Sequence, residues 1–231
     1  MEQITPLLVQ HNKNQYVVSP RFELITDCLS KKTQILELLC TVSYEDSDIC
    51  SIKFFDNLDE KDTYLIYRHS LEHTTQKQIN SFSLNVDVRF LMSGYIEMLF
   101  LEFSAEDLIF ELIESSSKYS ILEIQERLQQ LNMNPRFQIW LDDFWTERSN
   151  FDLINTIKFD AIKISRDLFW DFYESDKAFL KLLFKILRAK TAFVVIEGVD
   201  SFDKYIFCKE QNCLMQGYFF HDAKELNVSL L

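Results

Sequence analysis

Residues 137–144 read Phe-Gln-Ile-Trp-Leu-Asp-Asp-Phe, an apolar run that ends in two adjacent carboxylates. Phe137 to Leu141 has the length and composition of a buried strand, and Asp142 and Asp143 stand where that strand ends. Working outward, the pattern recurs. Leu108 to Leu112 is a second apolar run, with Glu111 near its end. Ala161 to Ile164 is a third and carries Lys163; Phe193 to Ile196 is a fourth and is followed by Glu197. A strand around Leu214 to Phe219 contains Gln216.

Between these runs the sequence turns helical. Tyr119 to Leu131 sets Ile121, Ile124, Leu128 and Leu131 at helical spacing. Asn150 to Ile157 reads as a short helix. Asp176 caps a helix running to about Lys190, with Arg188 and Lys190 in the last turn, where the helix dipole favours cations. A further helix spans about Ser201 to Gln211. Repeated strand–helix–strand order predicts a parallel sheet with crossover helices. In the first half, strands are expected near Tyr16 to Pro20, Thr33 to Val42 and Ser81 to Val86, with a helix near Asp59 to Thr75.

The chain has 231 residues, close to the roughly 250 of an α/β barrel. Its 21 Phe and 9 Tyr supply a large core, and only three Gly and three Pro leave no linker to mark a boundary. One domain over 1–231 is expected. The formal charge of −12 repels nucleic-acid polymers and anionic membrane surfaces, so neither is an expected partner. Five cysteines without a C-x-x-C predict free thiols in a reducing cytoplasm. The N-terminus lacks a signal-peptide pattern, and Leu91 to Phe103 is too short to span a bilayer.

In a closed α/β barrel the strand C-terminal ends share one mouth, which is where active sites lie. Carboxylates converging there repel one another unless cations hold them, and oxygen-rich sites select magnesium, manganese or calcium. Each carboxylate taken singly also fits a helix N-cap. Gly198 and Gly217 follow Glu197 and Gln216 directly, where a missing side chain permits a tight turn or close approach. His69 and His73 lie four apart on the expected helix, without a third ligand. Trp145 fits either a base-stacking role or packing of its loop onto the barrel.

Seven segments, taken in order, resemble the EAL domain family from about Tyr16 to Phe220: LELLC at 36–40, FSLNV at 82–86, FELIES at 110–115, LDDF at 141–144, IKIS at 162–165, IEGVD at 196–200 and QGYFF at 216–220. The resemblance implies a TIM-like (β/α)8 barrel with one antiparallel strand. It also implies hydrolysis of the bacterial second messenger cyclic di-GMP to linear pGpG by a cytoplasmic, stand-alone enzyme. By the same resemblance, Glu37, Asn85, Glu111 and Asp142 hold one metal. Asp142 bridges to a second, completed by Asp143 and a water. The metals would be Mg2+ or Mn2+, two per active site. Lys163 orients or deprotonates the attacking water, Glu197 supports the metal–water network, and Glu114 steadies the loop after Asp142. Gln216 and Leu38 are the implied substrate contacts, and the resemblance allows a homodimer paired through barrel helices.

The sequence also departs from the family. Cys40–Thr41 stands where an arginine usually contacts substrate phosphate, and Arg148 is expected to take over that contact. Trp145 and Glu147 occupy usual glycine positions, and Ser165 replaces an aspartate. These departures leave an alternative, a catalytically silent module that binds cyclic di-GMP or a regulatory protein.

Overall fold

The computed structural model describes residues 5–27, 34–74, 81–113, 118–145 and 151–220. Its strands are β1 (Leu7–His11), β2 (Asn14–Asp27), β3 (Gln34–Tyr44), β4 (Ser47–Ile49), β5 (Ser81–Val86), β6 (Asp107–Leu112), β7 (Gln138–Phe144), β8 (Ala161–Ile164), β9 (Phe193–Ile196) and β10 (Leu214–Gln216). Helices α1 (Ser51–Asn57) and α2 (Glu60–Thr74) lead into β5, and α3 (Val88–Met92) and α4 (Tyr95–Glu102) into β6. Then α5 (Ile121–Leu131), α6 (Phe151–Thr156), α7 (Arg166–Ser175) with α8 (Lys177–Arg188), and α9 (Phe202–Glu210) separate the remaining strands.

The sheet order is β1-β2-β10-β9-β8-β7-β6-β5-β3-β4, and an additional β2–β3 pairing closes the strands from β2 to β3 into a barrel of eight. Strand β2 runs antiparallel to both neighbours, whereas the pairings from β3 through β5 to β10 are parallel. This is the expected TIM-like barrel with one reversed strand. Strand β2 is longer than its sequence suggests, whereas β3 nearly matches the expected Thr33 to Val42. Pro20 does not end β2, because it lies opposite Cys40 and the strand continues to Asp27. Beyond the barrel, β1 and β4 extend the β2–β3 pair, and this flap buries Val9, Val18 and Val42 with Phe54, Leu58 and Ile66 of the α1–α2 region.

Local chemistry accounts for the helix ends. Ser120 accepts from the Glu123 amide while Glu123 reaches back to the Ser120 amide, a reciprocal cap that starts α5 at Ile121. Asp176 caps α8 by accepting from the Phe179 amide at 3.0 Å, as expected. The apolar run 91–103 divides into α3 and α4 at Ser93–Gly94, burying Ile96, Leu99 and Phe100. No helix among the described residues is long and apolar enough to cross a membrane. Cys40, Cys50, Cys208 and Cys213 are free thiols, and Cys28 lies outside the described residues.

Side-chain alternation sorts the barrel strands into two surfaces. Outward residues such as Leu36, Leu38, Phe82, Leu84, Phe110 and Ile139 pack against the helical layer. Inward residues form a plug of Ile25, Ile35, Ile109, Trp140, Ala161, Val195 and Leu214. Two residues from each plug member, toward the mouth, chemistry changes.

Candidate active site

Stepping two residues along each barrel strand from that plug gives Glu23 on β2, Glu37 on β3, Glu111 on β6, Asp142 on β7, Lys163 on β8, Glu197 just past β9 and Gln216 on β10. On β5 the same step, from the buried Ser83, gives Asn85. Every strand of the barrel thus contributes one polar residue to a single layer. Register confirms the level: Glu23 faces Glu37, and Asn85 faces Glu111.

At the centre is Lys163, 1% exposed. Its Nζ lies 2.6 Å from Glu111, 2.9 Å from Glu197, 3.0 Å from Asp142 and 3.4 Å from Glu37. Burial opposes its charge, but Asp142, Glu111, Glu37 and Glu197 outweigh burial and hold the ammonium well above its ordinary value. The carboxylates divide in response. Burial pushes the Glu37 carboxyl up, yet Lys163 and hydrogen bonds from Gln216 (2.6 Å) and Asn85 (2.9 Å) leave it below its ordinary value. Glu111 is raised well above its ordinary value by burial and then by Glu37. Burial, resisted by Lys163, leaves Glu197 at about 7. One lysine cannot neutralise this many acids, and burial with mutual repulsion raises Glu111 and Glu197.

Asp142 and Asp143 sit in a bulge, where the register of β7 against β8 shifts between Leu141 and Phe144. Asp143 takes a left-handed φ of 48° and lines the cleft above the layer. Desolvation there and the neighbouring Asp142 raise its carboxyl to about 6. Gly217, the expected close approach, is one: a Cβ there would lie 2.3 Å from the Val199 carbonyl oxygen. Trp145 packs edge-on against Phe144, Phe151 and Phe179 and remains 39% exposed.

The donor set fits a hard divalent cation. Asn85 Oδ1 and Glu111 Oε1, on paired strands, are buried acceptors without a hydrogen-bond donor among the described residues. Oxygen atoms of this kind suit magnesium, manganese or calcium. No group of three or more His, Cys, Asp or Glu side chains among the described residues is gathered into a ready cation shell. The Lys163 ammonium supplies the counter-charge in its place.

Of the residues expected from the sequence, Glu37, Asn85, Glu111, Asp142, Lys163, Glu197 and Gln216 come together in the layer, with Asp143 above them. Leu38 does not reach the cleft; it is 3% exposed within the outer core, and its neighbour Leu39 lines the cleft instead. Strand alternation makes this unavoidable, because Glu37 faces inward. Glu114, Glu147 and Arg148 lie outside the described residues. Glu23 was not anticipated: it accepts from Gln216 Nε2 at 2.9 Å. Its signal was alternation past Pro20, which places a charge on the inward face of β2.

Comparison with known proteins identifies a family and its fold. The family profile described as "EAL domain" matches residues 9–223. A cyclic di-GMP phosphodiesterase, TpdA of Vibrio parahaemolyticus, is 28% identical over 144 residues, covering 60% of this chain. The match covers 25% of that protein, so the chain spans about a quarter of its length. Among solved structures, the FimX EAL domain of Pseudomonas aeruginosa bound to c-di-GMP superposes with a TM-score of 0.73 at 16% identity, covering 87% of this chain and 88% of that one. Bacillus subtilis YkuI, in complex with c-di-GMP and calcium, gives 0.70 at 19% identity over 88% of this chain and 55% of that one. These structural likenesses establish the fold.

Proposed function

The chain belongs to the EAL domain family, and from that premise we propose that it hydrolyses one phosphodiester bond of cyclic di-GMP to give linear pGpG. The observation that carries this reading is the polar layer at the mouth, with its surplus of carboxylates and, among the described residues, the donorless buried oxygens of Asn85, Glu111 and Gln216. Glu37, Asn85, Glu111 and Asp142 would hold a divalent cation, and Asp143, beside Asp142, a second. Magnesium or manganese bound there supplies Lewis acidity and the positive charge that an anionic phosphodiester requires.

The chain's own groups do the rest. Four carboxylates hold the Lys163 ammonium well above its ordinary value, which suits it to orient water by donating hydrogen bonds; deprotonating that water would require bound cations to draw those carboxylates away. Glu197, raised to about 7, is suited to taking up a proton near neutrality. Gln216 ties Glu23 to Glu37 and fixes the wall between them. Substrate contact falls to Leu39 rather than Leu38.

A second reading, a module that binds the nucleotide without cutting it, draws on two rim features. Thr41 holds no charge and its hydroxyl donates to the Ser19 carbonyl at 3.4 Å. Trp145 packs against Phe151 of α6 and Phe179 of α8. Turnover separates the readings. Cyclic di-GMP with magnesium or manganese should give pGpG by chromatography, and product should vanish with a chelator and in Glu37→Ala. Nucleotide binding without product supports the silent module, and neither binding nor product removes both.

A further inference from the structure

The mouth is a cleft of about 350 Å³ whose charged lining is Glu23, Glu37, Asp143, Asp167 and Glu197 against a single basic residue, Arg166, among the described residues. A cyclic dinucleotide carries two phosphodiesters. Only the one being cut lies at the catalytic layer, and the other must enter the same acidic cleft with its own negative charge.

Arg166 is built into place. Its stem presses on Gly198, where a Cβ would come 2.2 Å from Arg166 Cγ. Its guanidinium carbon lies 5.3 Å from the centroid of Trp170, one turn further along α7. That indole is itself fixed, since Trp170 Nε1 donates to the Gly198 carbonyl at 2.7 Å. Lys204, 4.4 Å from the same ring, is tied to Asp200 at 3.0 Å. Arg166 engages Asp167 through Nε alone, at 3.1 Å, with side chains 56% and 82% exposed, so water screens the pair. Its two terminal nitrogens have no hydrogen-bond partner among the described residues.

We propose that Arg166 binds the phosphodiester that is not being cut, using the free fork of its guanidinium; this rests on the cyclic di-GMP reading above. A planar fork with two parallel donors matches phosphate oxygens better than a lysine ammonium does. The Trp170 shelf holds that fork in advance, so little ordering remains when substrate arrives.

The test compares Arg166→Ala and Arg166→Lys with wild type on two substrates: cyclic di-GMP, and bis(4-nitrophenyl) phosphate, which has a single phosphodiester. Thermal melts verify that both variants fold. For Arg166→Ala, KM for cyclic di-GMP should rise roughly tenfold, the loss of one partly exposed charge-assisted contact. The same change should raise KM for bis(4-nitrophenyl) phosphate less than about twofold, and Arg166→Lys should recover part of the loss. A parallel titration of cyclic di-GMP with calcium reads the same tenfold change as affinity, and covers a wild type that binds without turnover. Equal penalties on the two substrates, or an unchanged KM and affinity, overturn the assignment while the function stands. A wild type that neither cuts nor binds cyclic di-GMP overturns the function and the assignment with it.

Discussion

Lys163 is an ammonium buried among acids, and its removal tests the electrostatics directly. Lys163→Met should cost about 3 kcal/mol in denaturant melts with chelator at pH 8, since it leaves buried carboxylates unpaired. The cost should shrink at pH 5, where Glu197 takes a proton instead. A second expectation concerns pH alone. Glu197 moves from an ordinary 4.5 to about 7 in the fold, and Asp143 from 3.8 to about 6. A raised carboxyl favours the folded state while protonated, so its contribution is full below the ordinary value and is lost as pH climbs through the folded one. With chelator present, stability should therefore fall between about pH 4.5 and 7, and Glu197→Gln should flatten that slope. Manganese should reverse the sign, because ligation requires the deprotonated groups. The rise in Tm that it produces should grow over the same window.

Two backbone devices act at the scale of strands and their junctions. Gly217 ends β10 against the backbone of Val199, whose amide donates to the Gln216 carbonyl at 3.0 Å. Gly217→Ala should destabilise by about 3 kcal/mol or more, because backbone rather than a movable side chain fills the space. The β7 bulge behaves differently. Below about pH 4, where Asp143 is itself protonated, Asp143→Asn keeps a residue type that tolerates left-handed φ and should leave the melting temperature nearly unchanged, whereas Asp143→Ala should cost about 1 kcal/mol. Elements of this half were legible where period was clean, as in α5, α8 and the strands from β6 to β10. Helix α7 was not, since Leu168, Phe169, Trp170, Phe172 and Tyr173 spread aromatic mass around it and mask the buried face. That omission also concealed Arg166, which becomes visible only when α7 is seated beside Gly198. Strand β1 gave little signal because one of its residues, Val9, is buried and the rest are partly or fully exposed; it pairs with β2 across the tight turn at Asn12–Lys13.

For the whole molecule, the barrel separates stability from chemistry by height along its axis. The apolar plug from Ile25 to Leu214 holds the bottom, and the polar layer is stacked on it one step away. The sequence made the upper layer readable because each strand repeats the same apolar-then-polar cadence. It could not show that Lys163 lies at the hub, since that requires ring closure. Closure joins distant parts of the chain: Glu37 meets Lys163 across 126 positions and Gln216 across 179. During synthesis on the ribosome, a nascent chain that has not yet delivered β10 has no partner for the free side of β2, so its ring of acids remains open. Delivery of β10 is thus the moment at which the ring closes. The long loops that must close make maturation slow compared with local helix formation.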